Sequence, residues 1–494
     1  MEHSAIIVPD AIEHRTAAPV AQCTDLPLAV DLDGILIRSN TLHEGILACV
    51  KERPRVMLQI WAARRGKASM KRAIAAQALF DPQLQPYNEE LLQFLRSQKG
   101  AGRRIGLFAA ADHSVATSVA AHLGIFDVVM GSDGQTHLCG DAKAAAIREA
   151  FGPRFTYAGD TAIDRVPFSR AERVILVGGV ERLRGGLLND RPIEAEFPTA
   201  RAGFGVWFRA LRIPHWIKNT VVFVAPVLGI QALTPHGGIN ALVLFLLMGT
   251  LASATYLIND LFDLSVDRQH PVKRLRPFAA GELPVSAGLA AAAALILLTG
   301  AVSSLLPPSS SVSLLIYLVL TLCYSLWLKH VAMVDVLVLA GLFTLRVAAG
   351  GMLLPTPLSP WLLTFSMLFF LGLSIIKRYA ELERVLRLNP DNGRARGYSA
   401  RDLPILLATG ISSGISAVVI FTIYLISEQY PRHFYANPGV LWGITPILLI
   451  WTLRAWHLSV HGRMNEDPVM FAVRDRVSLI LGGLVLAILV VAWI

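Results

Sequence analysis

Two patterns of apolar and polar positions follow one another along this chain. Through about residue 200, short apolar runs alternate with charged stretches. PLAV (27–30), RRIGLFAAA (103–111), FTYAG (155–159) and RVILVGG (173–179) read as strands, and DAKAAAIREAFG (141–152) reads as a helix. Strands alternating with helices predict a doubly wound α/β sheet, whose ligands bind at the carboxyl ends of the strands. After Trp207 the apolar runs lengthen to about the 20 residues a spanning helix needs. Nine such segments are read: 214–233, 239–258, 286–306, 311–328, 332–354, 360–376, 404–427, 439–457 and 477–494. The pattern therefore predicts a multidomain protein. A tail (1–24) precedes an α/β domain (25–180) with a small helical cap inserted at 40–85. A linker (181–206), rich in Arg, Gly and Pro, leads to an all-α bundle of nine transmembrane helices (207–494).

Composition agrees with a lipid bilayer as the solvent of the second half. Of 494 residues, 54% are hydrophobic and 16% charged, against roughly 25% charged in ordinary soluble domains. The net charge of +9 belongs with membrane topology, and no nucleic-acid partner is expected. Arg268, Lys273, Arg274 and Arg276 follow the second span, Lys329 the fourth, a run from Lys377 to Arg401 the sixth, and Arg463, Arg474 and Arg476 the eighth. The opposite loops hold one basic residue, Arg432. By the positive-inside rule the N-terminal domain is cytoplasmic, in a multi-pass inner-membrane protein with its C-terminus outside. Cys23, Cys49, Cys139 and Cys323 form no CxxC pair, so neither a disulfide framework nor a thiolate metal site is expected. No cleaved signal peptide is expected. Gly- and Ala-rich spans such as GLAAAAALILL suit close helix packing, which is compatible with a homo-oligomer.

Candidate chemistry appears in both halves. In PLAVDLDGILIR a strand ends on Asp31 and Asp33, one placed to attack phosphorus and the other to protonate a leaving oxygen. Lys143 follows on a helix, and GDTAID supplies Asp160 and Asp164 after a further strand. The series DLDG, Lys, GDxxxD resembles the haloacid dehalogenase (HAD) superfamily over residues 25–180. That resemblance implies Asp31 as nucleophile, Asp33 as acid/base and Lys143 as phosphate ligand. It also implies Asp160 and Asp164 holding Mg²⁺ together with Asp31. One departure is plain: Ala109, Ala110 and Ala111 stand where the family carries a Ser or Thr at the end of its second strand.

In the membrane half, Asn259, Asp260, Asp263 and Asp267 recur every three or four residues, which sets their oxygens along one helical face. Carboxylates so close repel unless a cation lies between them, and Mg²⁺ bound with a substrate diphosphate answers that need. Lys273, Arg274 and Arg276 suit phosphate oxygens. The pattern NDxxDxxxD resembles the UbiA superfamily of intramembrane prenyltransferases, over residues 205–494. That family carries a second Asp-rich motif after helix 6, where this chain has the basic KRYAELERVLRLNPDNGRARGYS. IPHWIKN, KRLRPFAAG, YSLWLKH, LRVAAGG and KRYAEL look like the branch that makes decaprenyl-phosphate phosphoribose.

The resemblance implies a transferase moving phosphoribose from 5-phosphoribosyl diphosphate to a polyprenyl phosphate. Asp260, Asp263 and Asp267 would hold Mg²⁺ with help from Asn259, and Lys377 and Arg378 are candidates for the 5-phosphate or the lipid phosphate. Tyr324, Lys329 and Asp335 are expected to line the polar floor of the cavity, and Arg346 to face the bundle interior. The coupled HAD-type domain would remove the 5-phosphate of the product. The alternative is a prenyltransferase carrying a prenyl group from prenyl diphosphate to an aromatic or other acceptor.

Overall fold

The computed structural model describes residues 26–62, 66–78, 80–159, 164–178, 191–198, 203–228, 235–354, 356–388, 396–430, 435–464 and 467–494. The chain divides into two compact units, Met1–Gly203 with Leu264–Val285, and Phe204–Asp263 with Ser286–Ile494.

The first unit is built on a six-stranded parallel sheet. Its strands are β1 (Leu28–Val30), β2 (Ile105–Asp112), β3 (Val128–Ser132), β4 (Thr156–Gly159), β5 (Arg173–Val177) and β6 (Ile193–Phe197), in spatial order β3-β2-β1-β4-β5-β6. The order reverses at β1, between β2 and β4, which opens a crevice at the carboxyl ends of these strands. Leu28, Ala29 and Val30 are fully buried, as expected of a central strand covered on both faces. The four sequence-predicted strands are all present. Two more lie at the sheet edges, where burial is partial and the apolar signal weak. Strand β6 (IEAEF) falls inside the stretch 181–206 that reads as linker.

Strand β6 is tied to the sheet by a buried charge network. Both Arg103 and Glu194 side chains are almost wholly buried, and Arg103 also donates to the Leu26 carbonyl (2.7 Å), Gln98 (3.0 Å) and Thr156 (2.8 Å). The segment Leu264–Val285 packs within this same unit. There Arg268 forms a fork on the Glu44 carboxylate (2.9 and 2.6 Å). Gly281 adopts φ +71°, and a Cβ there would lie 2.7 Å from that of Arg38.

The second unit is helical. Among the described residues, eight helices are long and apolar enough to cross a membrane, from His236–Phe262 to Arg476–Trp493. The nine-span expectation is corrected at its first member. Instead of one continuous helix, residues Ile213–Phe223 form a 3₁₀ stretch and Val224–Leu228 a short α-helix. Pro214 and Pro226 each lack an N–H and crowd the preceding turn, which disfavours an unbroken α-helix here. The stretch also presses close to the helix Val334–Gly351: a Cβ on Gly350 would fall 1.9 Å from the Val222 carbonyl oxygen. The core of this unit gathers around Phe370, Leu373, Ile376, Phe421 and Trp456.

Candidate functional site

In the helical unit, the long helix Pro235–Phe262 carries Asn259 and Asp260 on its last turn, with Asp263 directly after it. Lys329, in the 3₁₀ turn Leu328–His330, sends its ammonium to Asp263 Oδ2 (2.6 Å) and Asn259 Oδ1 (3.2 Å). Asp260 is buried and pairs with Arg212, whose guanidinium stacks 4.7 Å from the Tyr256 ring. Arg212 has φ +51°, a left-handed conformation that costs an ordinary side chain energy. Arg212 thus reaches Asp260 from a turn 48 residues earlier, and no local spacing announces the pair.

A second polar cluster lies in the same unit. Lys218 and Lys377 both donate to Asp467 Oδ2, at 2.9 and 2.8 Å. Burial would raise the Asp467 carboxyl, but Lys377 and Lys218 outweigh it and hold the group well below the carboxylate range. Lys377, Arg384, Arg387, Glu381, Glu383 and Asp467 help line a cavity of about 550 Å³. Lys218 and Asp467 were not singled out in the sequence. They lie 249 residues apart, and each by itself looks like an ordinary interfacial charge.

The remaining candidates of this unit are placed as follows. Asp335 and Arg378 are fully buried against each other (2.6 Å), and Arg378 also reaches Glu381 while the Tyr398 hydroxyl donates to Asp335. Tyr324 accepts from Arg396 (3.3 Å). Arg346 faces the bundle interior, donating to Asn219 (2.9 Å), the Tyr317 hydroxyl (2.7 Å) and the Leu342 carbonyl (2.8 Å). Asp267, Lys273, Arg274 and Arg276 belong to the segment grouped with the N-terminal unit. There Arg276 pairs with buried Asp267 (2.6 Å), while Lys273 and Arg274 lie on a short 3₁₀ turn.

In the N-terminal unit, Asp31 follows β1, Lys143 rises from the helix Asp141–Phe151, and Asp164 follows β4. Lys143 Nζ lies 2.6 Å from Asp31 and 3.4 Å from Asp164, and the Tyr157 hydroxyl donates to Asp164 (2.9 Å). Burial raises the Asp31 carboxyl; Lys143 opposes and Asp164 adds to this, leaving it at about 6. Burial presses Lys143 down, but Asp31 and Asp164 prevail and hold it above its ordinary value. Burial also raises Asp33, against a hydrogen bond from the Thr41 amide (2.8 Å). Asp160 lies outside the described residues. Ala109 and Ala111 are buried at the end of β2, as the sequence placed them.

A model described as the UbiA prenyltransferase family matches residues 221–492. The chain belongs to that family. Uncharacterized protein y4nM of Sinorhizobium fredii is 36% identical, over 94% of this chain and 91% of its own. Decaprenyl-phosphate phosphoribosyltransferase of Mycobacterium tuberculosis is 29% identical, over 60% of this chain and 94% of its own. A UbiA homolog from Archaeoglobus fulgidus, solved with GPP and Mg²⁺, aligns at 15% identity and TM-score 0.45 over 58% of this chain and 98% of that one. The UbiA match makes the helical unit a membrane transferase, and the α/β sheet is a second unit outside the matched residues.

Proposed function

We propose that this UbiA-family transferase moves the 5-phosphoribosyl group of phosphoribosyl diphosphate onto a polyprenyl phosphate, and that its α/β unit is a HAD-type phosphatase acting on the product. The observation that carries the first part is the cavity lined by Lys377, Arg384 and Arg387 together with Glu381, Glu383 and Asp467, with Lys218 beside Lys377 on the Asp467 carboxylate. A phosphoribosyl donor brings a phosphate beyond its diphosphate, and these four cations offer it donors where a prenyl diphosphate has nothing to offer. The name of the mycobacterial relative points the same way.

Asp260, Asp263 and Asn259 offer hard oxygens. Among the described residues no three acidic, His or Cys side chains form a closed metal cage. Mg²⁺ is characteristically held by one or two carboxylates plus substrate phosphates, so this donor set fits it. When bound, Mg²⁺ supplies neutralisation of the donor diphosphate. Lys329 and Arg212, seated on Asp263 and Asp260, turn toward the diphosphate oxygens as the donor arrives. The anomeric C–O bond to pyrophosphate breaks as a bond to the polyprenyl phosphate oxygen forms, and pyrophosphate leaves. The acceptor oxygen is already anionic, so no side chain has to take a proton. In the α/β unit, Asp31 and Asp164 fit Mg²⁺ in the same sense. Lys143 holds the phosphoryl oxygens, Asp31 attacks phosphorus as the ester P–O bond breaks and Asp33 protonates the leaving oxygen; water, giving its proton to Asp33, then cleaves the phospho-Asp31 bond and frees phosphate. The 5-phosphate of the transfer product is the ester this fusion suggests.

Purified protein in detergent, with Mg²⁺, polyprenyl phosphate and radiolabelled phosphoribosyl diphosphate, tests both steps. Label should enter the lipid phase in wild type and not in Asp260→Asn. The product's 5-phosphate should then be released in wild type and retained in Asp31→Asn. No label in lipid, with prenyl diphosphate consumed in a parallel tube that contains it, overturns the donor assignment, and phosphate release unchanged in Asp31→Asn removes the phosphatase.

A further inference from the structure

The run Ala109–Ala111 leaves the end of β2 without the hydroxyl that would bind a phosphoryl oxygen, and the structure brings another group to that place. The helix Lys67–Ala75, inserted between β1 and β2, buries Ala68 and Ile74. Ile74 seats against Gly45, where a Cβ would lie 2.7 Å from its methyl group. Lys71 stands one turn from both anchors and so shares their inward face. Its ammonium lies 2.6 Å from the carbonyl oxygen of Ala110, at the end of β2. The next residue, Arg72, is exposed and donates to the Asp133 carbonyl (2.7 Å), just past β3.

The bond to Ala110 uses one of the three donors of the ammonium. Burial pulls the Lys71 ammonium below its ordinary value, with Asp33 and Asp31 pulling back. The Ala110 carbonyl is also served by the Ser132 hydroxyl (2.9 Å), so it keeps a partner when Lys71 moves.

Resting on the reading of this crevice as a phosphoryl site, we propose that Lys71 supplies the phosphate contact missing from β2. A phosphate monoester dianion is then held between two ammoniums, Lys143 from the sheet side and Lys71 from the inserted helix.

Two measurements on the full-length protein test this. Lys71→Met should raise KM for Asp31-dependent hydrolysis of p-nitrophenyl phosphate roughly 10- to 100-fold, the loss of one charge-assisted hydrogen bond, with a smaller change in kcat. Lys71→Arg should restore most of it. Acetic anhydride labelling of Lys71, read by mass spectrometry, should slow in 20 mM inorganic phosphate while labelling of Lys51 does not. An unchanged KM in Lys71→Met, or labelling of Lys71 indifferent to phosphate, overturns the proposal. Phosphate protection of Lys71 without any Asp31-dependent hydrolysis upholds the anion site and removes the phosphatase reading alone.

Discussion

Lys329 is the residue whose removal separates the proposed mechanism from a purely architectural role. Its ammonium lies 2.6 Å from Asp263 and 3.2 Å from Asn259, on oxygens that the mechanism assigns to the cation. The side chains are 10% and 17% exposed, which places the pair between a surface bridge and a sealed one. A charge-assisted hydrogen bond in such a setting contributes about 1.5–3 kcal/mol, or roughly 10- to 160-fold. Lys329→Met should therefore act in two opposite directions. Without donor, Asp263 loses its competitor, and Mg²⁺ alone binds more tightly, by calorimetric titration. With donor, the diphosphate loses a contact, and KM for phosphoribosyl diphosphate rises by roughly the same factor in the lipid-labelling assay. Lys329→Arg should lie between the two. A variant in which Mg²⁺ binding weakens and donor KM stays unchanged would refute the exchange, because Lys329 would then only brace the acidic face.

Three further outcomes follow from the geometry. Glu194→Ala strands the buried Arg103 guanidinium and should destabilise the α/β unit by about 3–5 kcal/mol, seen as faster hydrogen exchange in the β4–β6 peptides; a local loss below 1 kcal/mol would contradict it. Gly350→Ala drives a methyl into the Val222 carbonyl and should lower the thermal midpoint in detergent, whereas Gly300→Ala, with open space around it, should not. In the metal-free protein Asp31 keeps its proton up to about pH 6. Because its folded pKa exceeds the ordinary 3.8, this group stabilises the fold below about pH 4 and loses that contribution as pH rises through 6. In EDTA, Asp31→Asn should therefore reduce the loss of thermal midpoint between pH 4 and 7, and an unchanged slope would contradict it.

What the sequence made legible was local. Strands at the sheet centre announce themselves because both faces are buried, as at Leu28–Val30, and a strand end marks Asp31 without any knowledge of its neighbours. The edge strand Ile193–Phe197 alternates charge with apolar residues and hides among linker composition, since its place depends on Arg103, 91 residues earlier. The acidic run at 259–267 is visible because its members recur at fixed spacing, although the helix Pro235–Phe262 ends before Asp263 and Asp267 lies on the separate helix Leu264–Gln269. Its counter-cations, Arg212 and Lys329, come from turns elsewhere, and the Lys218–Asp467–Lys377 cluster joins three separate segments. Hydropathy alone also cannot tell a continuous helix from the 3₁₀ stretch at Ile213–Phe223, because both bury apolar side chains and only the prolines differ.

The fork of Arg268 on Glu44 bears on how the protein is made. The two residues are 224 positions apart, and the long helix Pro235–Phe262 lies between them in the chain. At roughly 5–20 residues per second, Glu44 is synthesised about 11–45 s before its partner. The sheet strands are complete by Phe197, but the α/β unit still lacks its last segment, Leu264–Val285. Completion of this unit thus waits on synthesis of the first long span, and a gene split at residue 203 would leave Glu44 with no arginine to receive.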